Sequence, residues 1–110
     1  MRISLNGSSD TAVSPSIPKV AASIDRARQA GLAGYWLQQT GLSDALGFFI
    51  ACADNIGDLE VGTAVVPTFT QHPVALAGHA LTAQAALGGR LVLGIGLSHR
   101  PAVEDRLGMP

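Results

Sequence analysis

The chain has 110 residues, 47% hydrophobic and only 14% charged, with a net charge of −1, where an ordinary soluble domain carries about 25% charged residues. Such a balance leaves no electrostatic footprint for nucleic acid or an anionic membrane, and no apolar run approaches the roughly 20 residues that span a bilayer. The single cysteine, Cys52, excludes an internal disulfide and fits a reducing, cytoplasmic setting, and the opening MRISLNGSSD lacks the long apolar core of a signal peptide.

The length suits one domain over residues 1–110. MRISL reads as a short apolar strand, and NGSSDTAVSPSIP as a polar loop rich in Pro and Ser. In KVAASIDRARQAG, residues 19–31, Val20, Ile24 and Ala27 recur at helical spacing. Gly31 is a good stop, and Arg26 and Arg28 suit the negative end of that helix. AGYWLQQ gives a second strand, from Tyr35 to about Gln38. SDALGFFIACADNIG, residues 43–57, gives a second helix that Ser43 can cap and Gly57 can end. LEVGTAVVP, residues 59–67, is a valine-rich third strand closed by Pro67. After TFTQ, Pro73 stands at a helix's first turn, where proline is favoured, and that helix runs to Gly88 and Gly89. RLVLGIGL, residues 90–97, is the fourth strand, and PAVEDRLG looks like the first turns of a further helix.

The order is β-α-β-α-β-α-β. Near-continuous apolar strands between helices predict an α/β fold with a parallel sheet covered on both faces. An open doubly wound sheet and a (β/α)8 barrel both fit this alternation. The doubly wound dinucleotide folds place a glycine fingerprint after the first strand. NGSSDTAVSP does not match it, and after Gly94 and Gly96 the third glycine position is His99. A barrel needs roughly 250 residues, of which this chain would supply about half.

Three segments in this order, GTAVVP (residues 62–67), HPVALA (72–77) and GGRLVLGIGLSHRP (88–101), resemble the luciferase-like monooxygenase superfamily. The likeness is greatest to its deazaflavin-dependent (coenzyme F-420) oxidoreductase branch. AGYWLQQTG matches that family's second strand less specifically, and the resemblance covers essentially the whole chain. It implies a (β/α)8 TIM barrel, of which the chain forms the N-terminal half, about four βα units, and is truncated. It also implies a cofactor, coenzyme F-420 or alternatively FMN, at the C-terminal ends of the strands. Strands five to eight, which in the family supply much of the phosphate and tail binding, have no counterpart here.

In a barrel, function sits where strands end. Here that means Asn6 and Gly7, Gln38 and Gln39, Ala64 to Val66, and Gly96 to His99. At the third strand end, the resemblance implies a bulge with a cis Ala64–Val65 bond that props the back of a tricyclic ring. The residues alone read as an ordinary valine-rich buried strand. Gly94 and Gly96 let another backbone or a flat ring approach closely.

His99 falls where some family members place a carboxylate acid or base, and imidazole chemistry near neutrality suits that work. The residues also allow a loop histidine that caps the helix begun at Pro101. Ser98 and Arg100 flank it; Arg100 reads as a phosphate or carboxylate holder or as a surface arginine. Alternation lets only one of Gln38 and Gln39 face the barrel interior, where it can hydrogen-bond a ring carbonyl. Certain relatives carry a histidine there. Trp36 points opposite to Tyr35 and Leu37, towards either the barrel centre or the helices.

The remaining candidates read as structural. His72 precedes Pro73 and suits a cap, while His79 lies mid-helix. With His99 they form no metal-ligand spacing. Cys52 within FFIACA reads as a buried small hydrophobe, and Phe48, Phe49 and Ile50 as core.

Two expectations follow. One is an oxidoreductase that moves hydride between its reduced cofactor and a small organic substrate. The other is an inactive half-barrel whose open edges and apolar interior drive self-association. In the second case a homodimer would close the ring.

Overall fold

The structure, a computed structural model, describes residues 2–7, 16–39 and 44–97. Its strands are β1 (Ser4–Asn6), β2 (Gly34–Leu37), β3 (Glu60–Thr63), β4 (Val66–Pro67), β5 (Leu91–Val92) and β6 (Ile95–Gly96). Its helices are α1 (Ile17–Gln29), α2 (Ala45–Ala51), α3 (Ala53–Ile56) and α4 (Pro73–Ala86), with a 3₁₀ turn over Thr68–Thr70. The predicted alternation stands. Four of the strands pair in the order β1-β2-β3-β5, every pair parallel. β4 and β6 pair separately, also parallel.

The third and fourth strands expected from sequence are each interrupted once, at the same height. β3 gives way to β4 at Ala64–Val65, and β5 to β6 at Leu93–Gly94. Helix boundaries also differ from expectation. α1 begins earlier, at Ile17, because Ser16 caps it: its hydroxyl accepts from the Lys19 amide at 3.3 Å. Pro18, part of the loop expected from sequence, stands in the first turn, where its missing N–H has no partner to lose. The second helix breaks at Cys52, where a tighter bond from the Asn55 amide to the Cys52 carbonyl, 2.9 Å, replaces the α-helical ladder. Asp44 caps α2 by accepting from the Gly47 amide at 3.0 Å; Ser43 lies outside the described residues. The expected stop at Gly57 holds, with φ at +59°, a conformation that favours glycine.

The helices cover one face of the sheet, and not both faces as its apolar strands predict. Tyr35, Leu37, Val61 and Leu91 point into that layer and are buried, as are Val20, Ile24 and Ala27 of α1 and Leu46, Phe48, Phe49 and Cys52 of the second helical segment. Phe49 meets Tyr35 edge to face, ring centroids 6.4 Å apart, a geometry worth about 0.5–1.5 kcal/mol beyond area burial. Burial pushes the Cys52 thiol pKa up, with a smaller push from the Asp25 carboxylate.

The opposite face carries Asn6, Trp36, Gly62 and Val92, which stand in register across the four strands. This places Trp36 on the barrel-interior side. Its benzo ring lies directly on Gly62, where a Cβ would overlap it, and its Nε1 lies 3.3 Å from where a Cβ on Gly34 would sit. Two bare positions thus form the seat of one indole.

The outer edge of β5 is partly closed from within. Val61 donates to the Arg90 carbonyl at 3.1 Å, so by parallel-strand alternation the Leu91 amide and carbonyl point away from β3. The Gln84 carboxamide of α4 meets both: Leu91 N donates to Oε1 at 2.7 Å, and Nε2 donates to the Leu91 carbonyl at 3.1 Å. No helix among the described residues is long and apolar enough to cross a membrane.

Candidate functional site

Because all the strands are parallel, their C-terminal ends lie on one rim. Several backbone bonds fix the rim segments against one another. Gly7 N donates to the Trp36 carbonyl at 2.8 Å, joining the first strand end to the second. Ala64 N donates to the Leu37 carbonyl at 2.8 Å, and Gln39 N to the Val65 carbonyl at 3.3 Å, joining the second to the third. Val66 N donates to the Gly94 carbonyl at 2.8 Å, joining the third to the fourth. The structure therefore brings Gln38, Ala64, Val65 and Gly96 into one neighbourhood. Ser98, His99 and Arg100 lie outside the described residues.

Ala64–Val65 is a cis peptide bond, as the resemblance implies. Ala64 and Val65 are both exposed at the rim, Val65 to 37%. Gln38 shares the strand parity of Trp36 and is exposed beside them. Gln39 is occupied structurally, since its Oε1 accepts from the Ala45 amide at 3.2 Å at the start of α2. Gln38 stands exposed at the end of the second strand, on the parity of the inner face.

The two glycines of the fourth strand accommodate the protein's own chain. A Cβ on Gly94 would overlap the Thr63 carbonyl, and one on Gly96 would sit 2.8 Å from a Val65 methyl. Gly96 thus supports the shelf from behind, touching Val65. Thr63 is a residue that sequence reasoning misses. Its buried hydroxyl accepts from Gly94 N at 2.9 Å and donates to the Gly94 carbonyl at 2.8 Å. A signal for it exists, since Thr63 is the only hydroxyl in a valine-rich strand and a buried hydroxyl must find partners.

His72 caps α4, its Nδ1 accepting from the Val74 amide at 3.1 Å. His79 packs α4 towards the start of α2, with Nε2 3.7 Å from the Asp44 carboxylate. Among the described residues, no group of three His, Cys, Asp or Glu is placed to hold a metal ion. An open hollow beside Asp25, Arg28 and Gln29 belongs to the end of α1 that leads into β2, away from the rim.

Among the described residues the third strand end is apolar. Ala64 and Val65 offer apolar contact, and exposed Asn6 and Gln38 carry amides at the neighbouring strand ends. An apolar shelf flanked by side-chain amides fits a flat, conjugated ring.

The luciferase-like monooxygenase family model matches residues 2–110. The chain belongs to that family. It is 32% identical over 80 residues to uncharacterized proteins of Mycobacterium bovis and Mycobacterium tuberculosis, a match covering 73% of this chain and 23% of theirs. Among solved structures it is similar to the FMN-bound oxygenating constituent of 3,6-diketocamphane monooxygenase from Pseudomonas putida, a type II Baeyer-Villiger monooxygenase. The TM-score is 0.84 at 19% identity, covering 98% of this chain and 32% of that one. It also matches a monooxygenase from Streptomyces bottropensis, with TM-score 0.80, 19% identity and coverage of 100% and 37%. A coenzyme F-420 dependent tetrahydromethanopterin reductase from Methanopyrus kandleri gives TM-score 0.79, 22% identity and coverage of 100% and 30%. The fold is thus that of the N-terminal part of a luciferase-like TIM barrel. The chain spans about a quarter of the length of the curated relatives it matches and about a third of these structures.

Proposed function

We propose that the chain supplies part of the cofactor wall of a flavin- or deazaflavin-dependent oxidoreductase acting on a small organic substrate. The observation that carries this reading is the apolar Ala64–Val65 shelf beside Gln38, backed by Gly96, on the rim where all strands end. The residues fit such a ring. Val65 and Ala64 would lie against its flat face, and Gln38 would hydrogen-bond its polar edge. Bound there, coenzyme F-420 or FMN supplies hydride transfer. His99, four residues beyond Ile95 in sequence, would exchange a proton with the substrate, and Ser98 would contact the cofactor. Family membership supports the reaction class, and the two neighbours described with FMN and coenzyme F-420 support the cofactor class. A cytoplasmic location belongs to the same reading and draws on the lone, buried Cys52.

The test is to mix the purified chain with FMN or coenzyme F-420 and pass it through a gel-filtration column. Co-elution of either cofactor is the expected result, reduced in a Val65→Asp variant that places a charge on the shelf. A chain that emerges without either cofactor overturns the reading.

A second reading has its own observation. Val92, Leu93, Ile95 and Leu97 are exposed along the outer strand, Leu97 to 67%. A second copy related by rotation about the barrel axis would set its β1 edge beside this one, parallel, and cover that surface. Light scattering decides it: a dimer mass supports closure by self-association, and a monomer mass over a wide concentration range removes it.

A further inference from the structure

We infer that Thr63 is the positioning residue of the rim: its hydroxyl fixes the Ala64–Val65 shelf against the Gly94–Gly96 segment. The inference concerns where the shelf stands; its link to cofactor binding rests on the function proposed above. At the point where β3 ends, the ladder between the third and fourth strands loses its regular rungs. The Thr63 side chain takes over. One hydroxyl serves both polar groups of Gly94, accepting from its amide at 2.9 Å and donating to its carbonyl at 2.8 Å. The same carbonyl also accepts from Val66 N at 2.8 Å, on the far side of the shelf. Gly94 is therefore held by the residue before Ala64–Val65 and by the residue after it. That grip needs glycine, because a Cβ at position 94 would overlap the Thr63 carbonyl. Two residues on, Gly96 lies close enough to Val65 that a Cβ there would press on its methyl at 2.8 Å. Shelf and backing segment thus form one unit, and the hydroxyl is its only side-chain fastener among the hydrogen bonds described.

The hydroxyl can be removed with little change of shape by Thr63→Val and kept by Thr63→Ser. Amide hydrogen exchange on the full chain reads the unit directly. In Thr63→Val, exchange at Gly94 and Val66 should rise about tenfold or more, the scale on which an unmet buried donor weakens a local unit, while Ile24 and Phe49 keep their protection. In Thr63→Ser, Gly94 and Val66 should stay near wild type. Unchanged exchange at Gly94 and Val66 in Thr63→Val overturns the inference. So does an equal rise at Ile24 and Phe49, which would make Thr63 a general stability residue. A Thr63→Ser variant as fast as Thr63→Val also overturns it, because the methyl and not the oxygen would then be decisive.

A second arm measures FMN and coenzyme F-420 affinity by equilibrium dialysis. Weaker binding in Thr63→Val, restored in Thr63→Ser, links the unit to the cofactor. Equal binding in all three proteins cuts that link. If wild type binds neither cofactor, the proposed function fails alone, and the exchange arm still decides the role of Thr63.

Discussion

The two faces of the four-stranded sheet solve different problems with the same strands. On the helix side, Tyr35, Leu37, Val61 and Leu91 press into a continuous apolar layer with Phe49, Ile24 and Val20. On the other side, Asn6, Trp36, Gly62 and Val92 form one row, in which Trp36 is half-buried and Val92 is 40% exposed. The helix side is where the fold's stability resides, since burial of apolar area dominates folding. The inner side is shaped by fit, with one large ring on bare backbone, and it carries the rim. The contrast teaches that stability and site can be separated residue by residue, even between neighbours such as Tyr35 and Trp36.

The largest expected effect lies on the packed face. Phe49→Ala should cost about 3–5 kcal/mol in chemical denaturation, as for a buried aromatic in other cores. A cost below that of an exposed substitution would show that the helix layer is not the main core. Gly62→Ala tests the inner face by overfilling: the new methyl meets the Trp36 ring, and about 1–3 kcal/mol should be lost. Because Trp36 is the only tryptophan, its fluorescence maximum should shift in the same variant, and an unchanged spectrum would mean the indole does not rest on Gly62.

A smaller change comes with pH. The Cys52 thiol has its pKa raised in the folded state, first by burial and then by Asp25, so the fold favours the neutral thiol. Its contribution is fully present below the unfolded thiol's pKa of about 8.5 and is lost as pH rises above it, because only the unfolded chain then gains by ionising. Stability measured from pH 7 to pH 10 should fall for wild type and fall less for Cys52→Ala; parallel curves would remove the thiol from the account. The least effect belongs to the open face: Val92→Thr should change stability by no more than about 0.5 kcal/mol. A larger loss would show that something covers Val92 in solution.

Much of the architecture is legible in the sequence because periodicity reports burial. The spacing of Val20, Ile24 and Ala27 marks the buried stripe of α1, and proline at position 73 marks the start of α4. The break at Cys52 is not legible, since FFIACADNIG holds no residue that forbids a helix before Gly57. Ser16 and Pro18 read as loop residues because both residue types are also common in loops; only the cap bond to Lys19 separates the two cases. At the site, the resemblance points to Ala64 and Val65, and strand alternation narrows Trp36 to two directions. Thr63 escapes notice because its role depends on a partner 31 residues away, a distance that no local pattern carries. For Gly94 and Gly96 the sequence promises close approach, and only the fold shows that the approaching groups are Thr63 and Val65.

The Gln84 carboxamide has a directional consequence for the sheet's outer border. It already answers the amide and carbonyl that Leu91 turns outward, so an incoming strand finds nothing to dock with at the foot of that border. Lateral extension must start higher, beside Ile95 and Leu97, and then run towards the rim. The sheet thus carries a built-in zipper stop that tells any newcomer, from this polypeptide or another, at which tooth to begin.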